Sequence, residues 1–331
     1  MILVTGGTGL VGAHLLYHLT EKNDKITAIY RTDEKRTHLK KIFSFYTDDV
    51  EHLFSKIIWI KADITDIPSL KNVFKNIKEV YHCAALVSFN PKDYDKMRQV
   101  NIDGTANIVN FSIENNIKKF CFVSSIATLG DTINKKIIDE ENEWSDSEMH
   151  SGYSITKYGA EMEVWRGSQE GLEVVIVNPG VILGSGFWQE GSGKLFSQIK
   201  NGFKFYTQGI TGFVDVQDVV KAMILLMKSD IKNERFILVS ENKSFKEILD
   251  TIADNLHKKR PAIKVSKTLS ALAWRVSFLV SLLTKKKPLL TKNTARASHN
   301  ISYYSSSKIE KALAFKFELI SSQIAKISKT F

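Results

Sequence analysis

The 331-residue chain carries 46 Lys and Arg against 36 Asp and Glu, a formal net charge of +10, and is 43% hydrophobic and 25% charged. That balance is that of a globular protein, with no long disordered or low-complexity tract. The basic residues are scattered without an aromatic-interleaved stripe, so the surplus reads as a basic surface that helps steer an anionic cofactor and implies no nucleic acid partner.

Ile2-Leu3-Val4 is a short apolar run that breaks into Thr5-Gly6-Gly7-Thr8-Gly9-Leu10-Val11-Gly12; Ala13, Leu15, Leu16 and Leu19 then follow helical spacing. The pattern predicts a buried strand, a glycine turn and a helix. Gly6, Gly9 and Gly12 stand at three-residue intervals, a variant of the dinucleotide fingerprint. One glycine permits the sharp turn, one the approach of a pyrophosphate, and one the close packing of the helix. The N–H groups of the helix N-terminus, from Leu10 onward, would face the phosphates. A strand beginning at Ile2 leaves no room for a signal peptide, so a cytoplasmic location is expected.

Ile26-Thr27-Ala28-Ile29-Tyr30 predicts the second strand. An acid near its end would bond the ribose hydroxyls of NAD; here Arg31 stands there, with Arg36 beyond it and Asp33 the nearest acid. A guanidinium at that place pairs with a 2′-phosphate, which predicts NADP, with NAD as the alternative. Residues 38–55 read as polar and partly helical. Ile57-Ile58-Trp59-Ile60 predicts a third buried strand, and Asp63 and Ile64 beyond it are placed to meet adenine. Asp66, before Pro68, fits a helix N-cap.

Glu79-Val80-Tyr81-His82-Cys83 predicts the fourth strand, running into Ala84 and Ala85, small residues across which a flat cofactor would lie. His82 reads as a packed strand residue. Cys83 and Cys121, both in apolar runs, predict buried thiols in a reducing compartment. A long helix follows with Asn101 inside it, an unfavourable place that hints at a specific bond. Lys119 to Val123 predicts the fifth strand; Ser124 and Ser125 at its carboxyl end would point into the ligand crevice. Residues 131–150 read as a charged, exposed segment. Beyond it Tyr153 and Lys157 share one helix face. A cation there would lower the tyrosine from its usual ~10 and let it exchange a proton with a substrate oxygen near neutral pH.

Together with Asn178-Pro179-Gly180-Val181 and Phe213-Val214-Asp215-Val216-Gln217-Asp218-Val219, these pieces make the chain resemble the extended short-chain dehydrogenase/reductase superfamily, also called the NAD-dependent epimerase/dehydratase family. The resemblance implies an α/β fold: a doubly wound parallel (Rossmann) sheet over 1–178, with 212–240 returning to it. A smaller, mostly helical substrate-binding region would come from 179–211 and 241–331. It implies Tyr153 as general acid/base, Lys157 as its pKa tuner and ribose contact, and Ser125 on the substrate oxygen, with Ser124 as fallback and cofactor neighbour. Asn101 would join the catalytic set, and Pro179 and Val181 would lie beside the nicotinamide. The tail, Tyr303-Tyr304-Ser305-Ser306-Ser307-Lys308 with Ala312-Leu313-Ala314-Phe315, is similar to the dihydroflavonol-reductase-like and 3β-hydroxysteroid-dehydrogenase-like branch. It departs from that branch at Ile309, where alanine is usual, and at Ala314, where glycine is usual. The expected activity is an NADP-dependent interconversion of carbonyl and alcohol on a small or lipophilic molecule. The alternatives are a sugar-nucleotide epimerase or dehydratase with tightly held NAD, and a non-catalytic NADP sensor. A homodimer through two long helices is implied.

Toward the C-terminus, 184–193 reads either as a mobile loop over the site or as a surface loop. Phe203, Phe205 and Tyr206 add aromatic surface, and 215–228 reads as an amphipathic structural helix. Leu269 to Leu283 is apolar, interrupted by Arg275, too short to span a bilayer, and followed by Lys285-Lys286-Lys287. A lid or core helix over the cleft is the preferred reading; membrane contact is left open only through 269–287, as an interfacial helix. The eight histidines are dispersed without zinc-ligand spacing, so no metal is expected.

Overall fold

The alternation of short apolar runs with helical periodicity folds, in the computed structural model, as sheet and covering helices; the structure describes residues 1–130, 137–145, 150–284, 288 and 290–331. Six strands come first: β1 (Ile2–Thr5), β2 (Ile26–Tyr30), β3 (Ile57–Lys61), β4 (Glu79–His82), β5 (Lys119–Val123) and β6 (Val174–Pro179). The chain then leaves through β7 (Val181–Leu183), β8 (Phe205–Tyr206) and β9 (Ile210–Asp215), and returns as β10 (Glu234–Leu238). Strands β11 (Glu241–Ser244) and β12 (Ile263–Lys264) follow.

The central sheet has seven strands in the order β10-β6-β5-β4-β1-β2-β3, every pair parallel. Strand order reverses between β1 and β4, and a ligand crevice opens at the carboxyl ends of the strands at such a switch point. β6 is buried throughout, as both faces of a parallel sheet are covered. On one face Leu15, Leu16, Val219 and Met223 pack from helices Leu10–Thr20 and Val216–Lys228. On the other, Ile108, Val109, Ala160 and Val164 pack from helices Gly104–Glu114 and Gly152–Gln169. A separate cluster, including Phe196, Ile248, Ile252, Ile320 and Ile324, joins the C-terminal helices.

Several sequence expectations are corrected here. β3 is an edge strand, not a buried one: it has a neighbour on one side only, and Ile58 is 41% exposed. The long helix expected to carry Asn101 is present, running without a break through Tyr94–Arg98 and Gly104–Glu114, with a π-helical turn at Gln99–Asp103 between them. Asp66 stands at the N-cap of Ile67–Leu70, but its side chain makes no capping bond. The stretch 184–193 is no free flap: Ser185 and Gly186 carbonyls accept from His14 and His38, and a Cβ on Gly186 would meet Ile42 at 2.0 Å. Within 131–150, Ile138 is buried and pairs with Tyr304; 131–136 and 146–149 lie outside the described residues. Helix Lys267–Thr284 is not a core helix, since Leu272 and Leu279 stand 60% and 59% exposed; Lys285, Lys286 and Lys287 lie outside the described residues.

Candidate active site

The glycine turn after β1 has the shape its spacing implies. Gly6 adopts φ +68°, a left-handed conformation natural to glycine, and a Cβ there would lie 2.5 Å from the Ala84 nitrogen. A Cβ on Gly12 would meet the Gly6 carbonyl oxygen at 2.3 Å, so only glycine lets helix Leu10–Thr20 start this close to the turn. Gly9 differs. It is the helix N-cap without a side-chain cap, and its added Cβ would find only the Gly6 carbonyl oxygen, at 3.5 Å. A space a Cβ would fill, in front of an uncapped helix N-terminus at Leu10, fits a dinucleotide pyrophosphate.

Arg31 lies just beyond β2, half-exposed, with its guanidinium 3.7 Å from Asp63. Asp63 Oδ1 accepts from the Thr65 amide and hydroxyl at 3.0 and 2.9 Å, which fixes the carboxylate beyond β3. Arg36 pairs with Asp33 at 3.0 Å and sits over the Tyr30 ring. Ile64 turns its side chain into the core against Gly104, and its carbonyl accepts from Asn107 Nδ2 at 2.9 Å. At the end of β4, Ala84 donates its amide to Thr5 Oγ1 at 3.4 Å and Ala85 is exposed. His82 is fully buried between the Thr5 and Thr105 hydroxyls at 2.6 and 3.0 Å. Burial, reinforced by the Lys157 charge, pushes its pKa down to about 3, so it is a neutral packing residue as read.

Ser151 and Ser154 form a capping box that starts helix Gly152–Gln169 and fixes the angle at which Tyr153 and Lys157 leave it. Tyr153 stands beside Ser125 at the end of β5. Of the two serines, only Ser125 faces this tyrosine. Ser124 is buried and spends its hydroxyl on Glu161, which corrects its placement as a cofactor neighbour or fallback. The expected lowering of the tyrosine by Lys157 is also corrected. Burial raises the Tyr153 pKa, opposed only by the neighbouring Ser125, while Lys157 Nζ donates to the Val123 carbonyl at 2.8 Å. The ammonium also lies 4.3 Å from the Phe122 ring centre. Burial brings the lysine down to about 8, against the pull of the Glu161 charge.

Asn101 is buried in the π-helical turn, accepts from the Leu86 amide at 2.7 Å, and donates to the Leu86 carbonyl and Thr156 Oγ1, both at 3.0 Å. Its polar atoms are committed, so it is a positioning residue that clamps the segment after β4 to the Tyr153 helix, not a catalytic one. Pro179 ends β6 and Val181 opens β7; between them a Cβ on Gly180 would meet the Gly212 carbonyl oxygen at 2.4 Å. Cys83 and Cys121 are free thiols, raised by burial and therefore unreactive.

Two features escaped the sequence reading. Phe89, 42% exposed, stands 5.8 Å ring to ring from Tyr153 and gives the site an apolar wall beside half-exposed Val87. Beneath the site, Glu161 is fully buried. Its Oε2 accepts from Thr128 Oγ1 at 2.8 Å and Asn178 Nδ2 at 2.9 Å, as well as from Ser124. Its Oε1 meets Trp165 Nε1 at 3.4 Å and the Arg235 guanidinium at 3.3 Å. The available signal was position: Glu161 lies one helical turn beyond Lys157, on the same face. Among the described residues no cluster of three metal-binding side chains occurs.

A model of the NAD dependent epimerase/dehydratase family matches residues 2–238. The chain is 27% identical to sterol demethylase protein B of Methylococcus capsulatus, over 80% of this chain and 76% of that protein. It is 26% identical to cinnamoyl-CoA reductase 2 of Medicago truncatula, over 76% of this chain and 75% of that one. In fold it matches the UDP-glucose 4-epimerase of Thermotoga maritima with a TM-score of 0.77 and 19% identity, over 100% of this chain and 98% of that one.

Proposed function

This chain belongs to the NAD dependent epimerase/dehydratase family, and we propose that it is an NADP-dependent oxidoreductase interconverting a carbonyl and an alcohol on a small or lipophilic substrate. The observation that carries the proposal is the meeting of Tyr153 with Ser125 at the carboxyl end of β5, with Lys157 one turn beyond and the glycine cradle across the switch point. Two relatives named for a reductase and a sterol demethylase, with Phe89 walling the site, support an apolar carbonyl substrate.

Gly6, Gly9, Gly12 and Leu10 would hold the pyrophosphate, Arg31 the 2′-phosphate, and Asp63 with the Ile64 backbone the adenine. Ala84 and Ala85 would lie under the middle of the cofactor, Lys157 would meet the ribose, and Pro179 and Val181 would meet the nicotinamide. Bound there, the reduced cofactor supplies a hydride. In the reducing direction Ser125 and Tyr153 both donate to the substrate oxygen, and Tyr153 gives up its proton as that oxygen gains charge. A raised Tyr153 pKa suits this role, because the phenol must be protonated when the carbonyl arrives. Lys157, brought down to about 8 by burial, still carries charge at neutral pH one helical turn from Tyr153. Residues 179–211 and 241–331 would supply the substrate-binding region.

The test is a carbonyl panel with NADPH and with NADH, run on the wild type and on Tyr153→Phe. NADPH-dependent reduction that the variant loses, with nucleotide binding retained, is the expected result. Full activity in Tyr153→Phe, or sugar-nucleotide epimerisation with retained NAD and no net reduction, would overturn the proposal.

A further inference from the structure

Helix Lys267–Thr284 is built inside out. Its serines face the protein: Ser270 and Ser281 are buried, Ser270 Oγ bonds His299 Nε2 at 2.7 Å, and Ser277 Oγ accepts the Leu290 amide at 3.1 Å. A set of apolar side chains faces outward. Leu269, Leu272, Val276 and Leu279 are 46%, 60%, 52% and 59% exposed, at the three- and four-residue spacing that makes one continuous stripe. Phe278 and Val280 widen it, and Ile263 of β12, just ahead in the chain, stands exposed beside Phe205. Single exposed hydrophobic residues are ordinary, but a contiguous stripe marks a docking surface.

Charge identifies the occupant. The basic surplus, expected above to be scattered, is concentrated: from residue 255 to residue 309 the sequence has twelve Lys and Arg and no Asp or Glu, more than the whole net charge of +10, so the rest of the chain is slightly acidic. Lys258, Lys259, Lys264, Lys267, Lys292 and Arg296 of this segment are exposed. A second copy meeting the first through this face would bring two such acid-free segments together. An anionic lipid surface meets both demands, with apolar depth for the stripe and phosphates for the basic rim. Among the described residues no helix is long and apolar enough to cross a membrane, so the helix would lie in the plane of the surface.

We propose that this helix and its basic surroundings dock the protein peripherally on an anionic bilayer. The experiment is flotation of the full chain with vesicles of phosphatidylcholine mixed with phosphatidylglycerol, against phosphatidylcholine alone. Binding to the mixed vesicles only, weakening as salt rises, is expected. Lys264→Glu with Lys267→Glu, beside Ile263 and at the start of the helix, should cut partitioning by at least about 25-fold, since each basic side chain near an anionic surface contributes roughly fivefold. Leu272→Asp with Leu279→Asp should abolish flotation, while thermal unfolding and NADPH binding, which do not depend on these exposed positions, stay at wild-type values. No flotation on mixed vesicles would overturn the proposal. So would equal flotation of the leucine variant, or a dimer that dissociates in that variant without any vesicle binding in the wild type.

Discussion

Glu161→Gln separates the charge of the buried carboxylate from its shape. A glutamine must point its NH₂ toward one of two donor sets. Trp165 N–H and Arg235 cannot become acceptors, so its oxygen stays on their side and the NH₂ faces Ser124, Thr128 and Asn178. Those three can reorient: the hydroxyls rotate, and Asn178 has a buried Oδ1 without a hydrogen-bond partner that a flipped amide would present. Arg235 keeps the Glu140 carbonyl at 2.6 and 2.9 Å and the Asn142 carbonyl at 3.2 Å. The loss should therefore be about 1–3 kcal/mol, the range for weakened hydrogen bonds to a charged group. Glu161→Leu strands the donors and should cost about 3–5 kcal/mol, as for breaking a buried ion pair. The glutamine variant also removes the charge that favours protonated Lys157, so the alkaline loss of activity should begin at lower pH. Denaturant unfolding and a pH–rate profile read the two effects separately. Wild-type stability in both variants would refute the view that this carboxylate holds the strand ends. A stable Glu161→Gln protein with an unmoved alkaline limb would refute its coupling to Lys157.

Other expectations follow from single positions. Tyr153→Phe should reduce turnover by about 10²–10⁴-fold, the usual range for losing a general acid, with nucleotide affinity retained in a fluorescence titration. Ala314 holds a left-handed conformation, φ +47°, at the end of helix Ser307–Leu313; Ala314→Gly should stabilise the fold by roughly 0.5–1 kcal/mol in urea unfolding. Asp215 is pushed up to about 7, first by burial, then by Asp218 and Glu318, against its bond from the Gln217 amide. The folded state therefore holds a proton the unfolded state has lost between the ordinary carboxylate value and pH 7, and stability falls as pH rises through that window. Asp215→Asn, which keeps the cap, should gain stability at pH 8 relative to wild type and little at pH 4; an equal gain at both would contradict this origin.

Much of the site was legible because its signals are local. A strand, three glycines and a helix are contiguous in sequence, and Tyr153 and Lys157 are one turn apart, so spacing alone brings their chemistry together. What escaped depends on direction and depth. Ile57-Ile58-Trp59-Ile60 is equally apolar as a central or an edge strand. An apolar run such as 269–283 does not say which way its apolar face points, and only the Ser270 and Ser277 contacts reveal that it points outward. Glu161 looks like any helix carboxylate until Asn178, Thr128 and Arg235, distant in sequence, arrive around it. The direction of the Tyr153 pKa depends on the same kind of distant contact: the destination of the Lys157 ammonium, the Val123 carbonyl, belongs to another element.

NADP-dependent oxidoreduction is tested by a titration of the purified chain with NADPH and NADH, repeated on Arg31→Glu. Tighter binding of NADPH by the wild type is expected, with a preference that Arg31→Glu loses or reverses and no nucleotide retained at one-to-one amount after purification. Stoichiometric NAD released on denaturation, or equal affinity for the two nucleotides in both proteins, would contradict it.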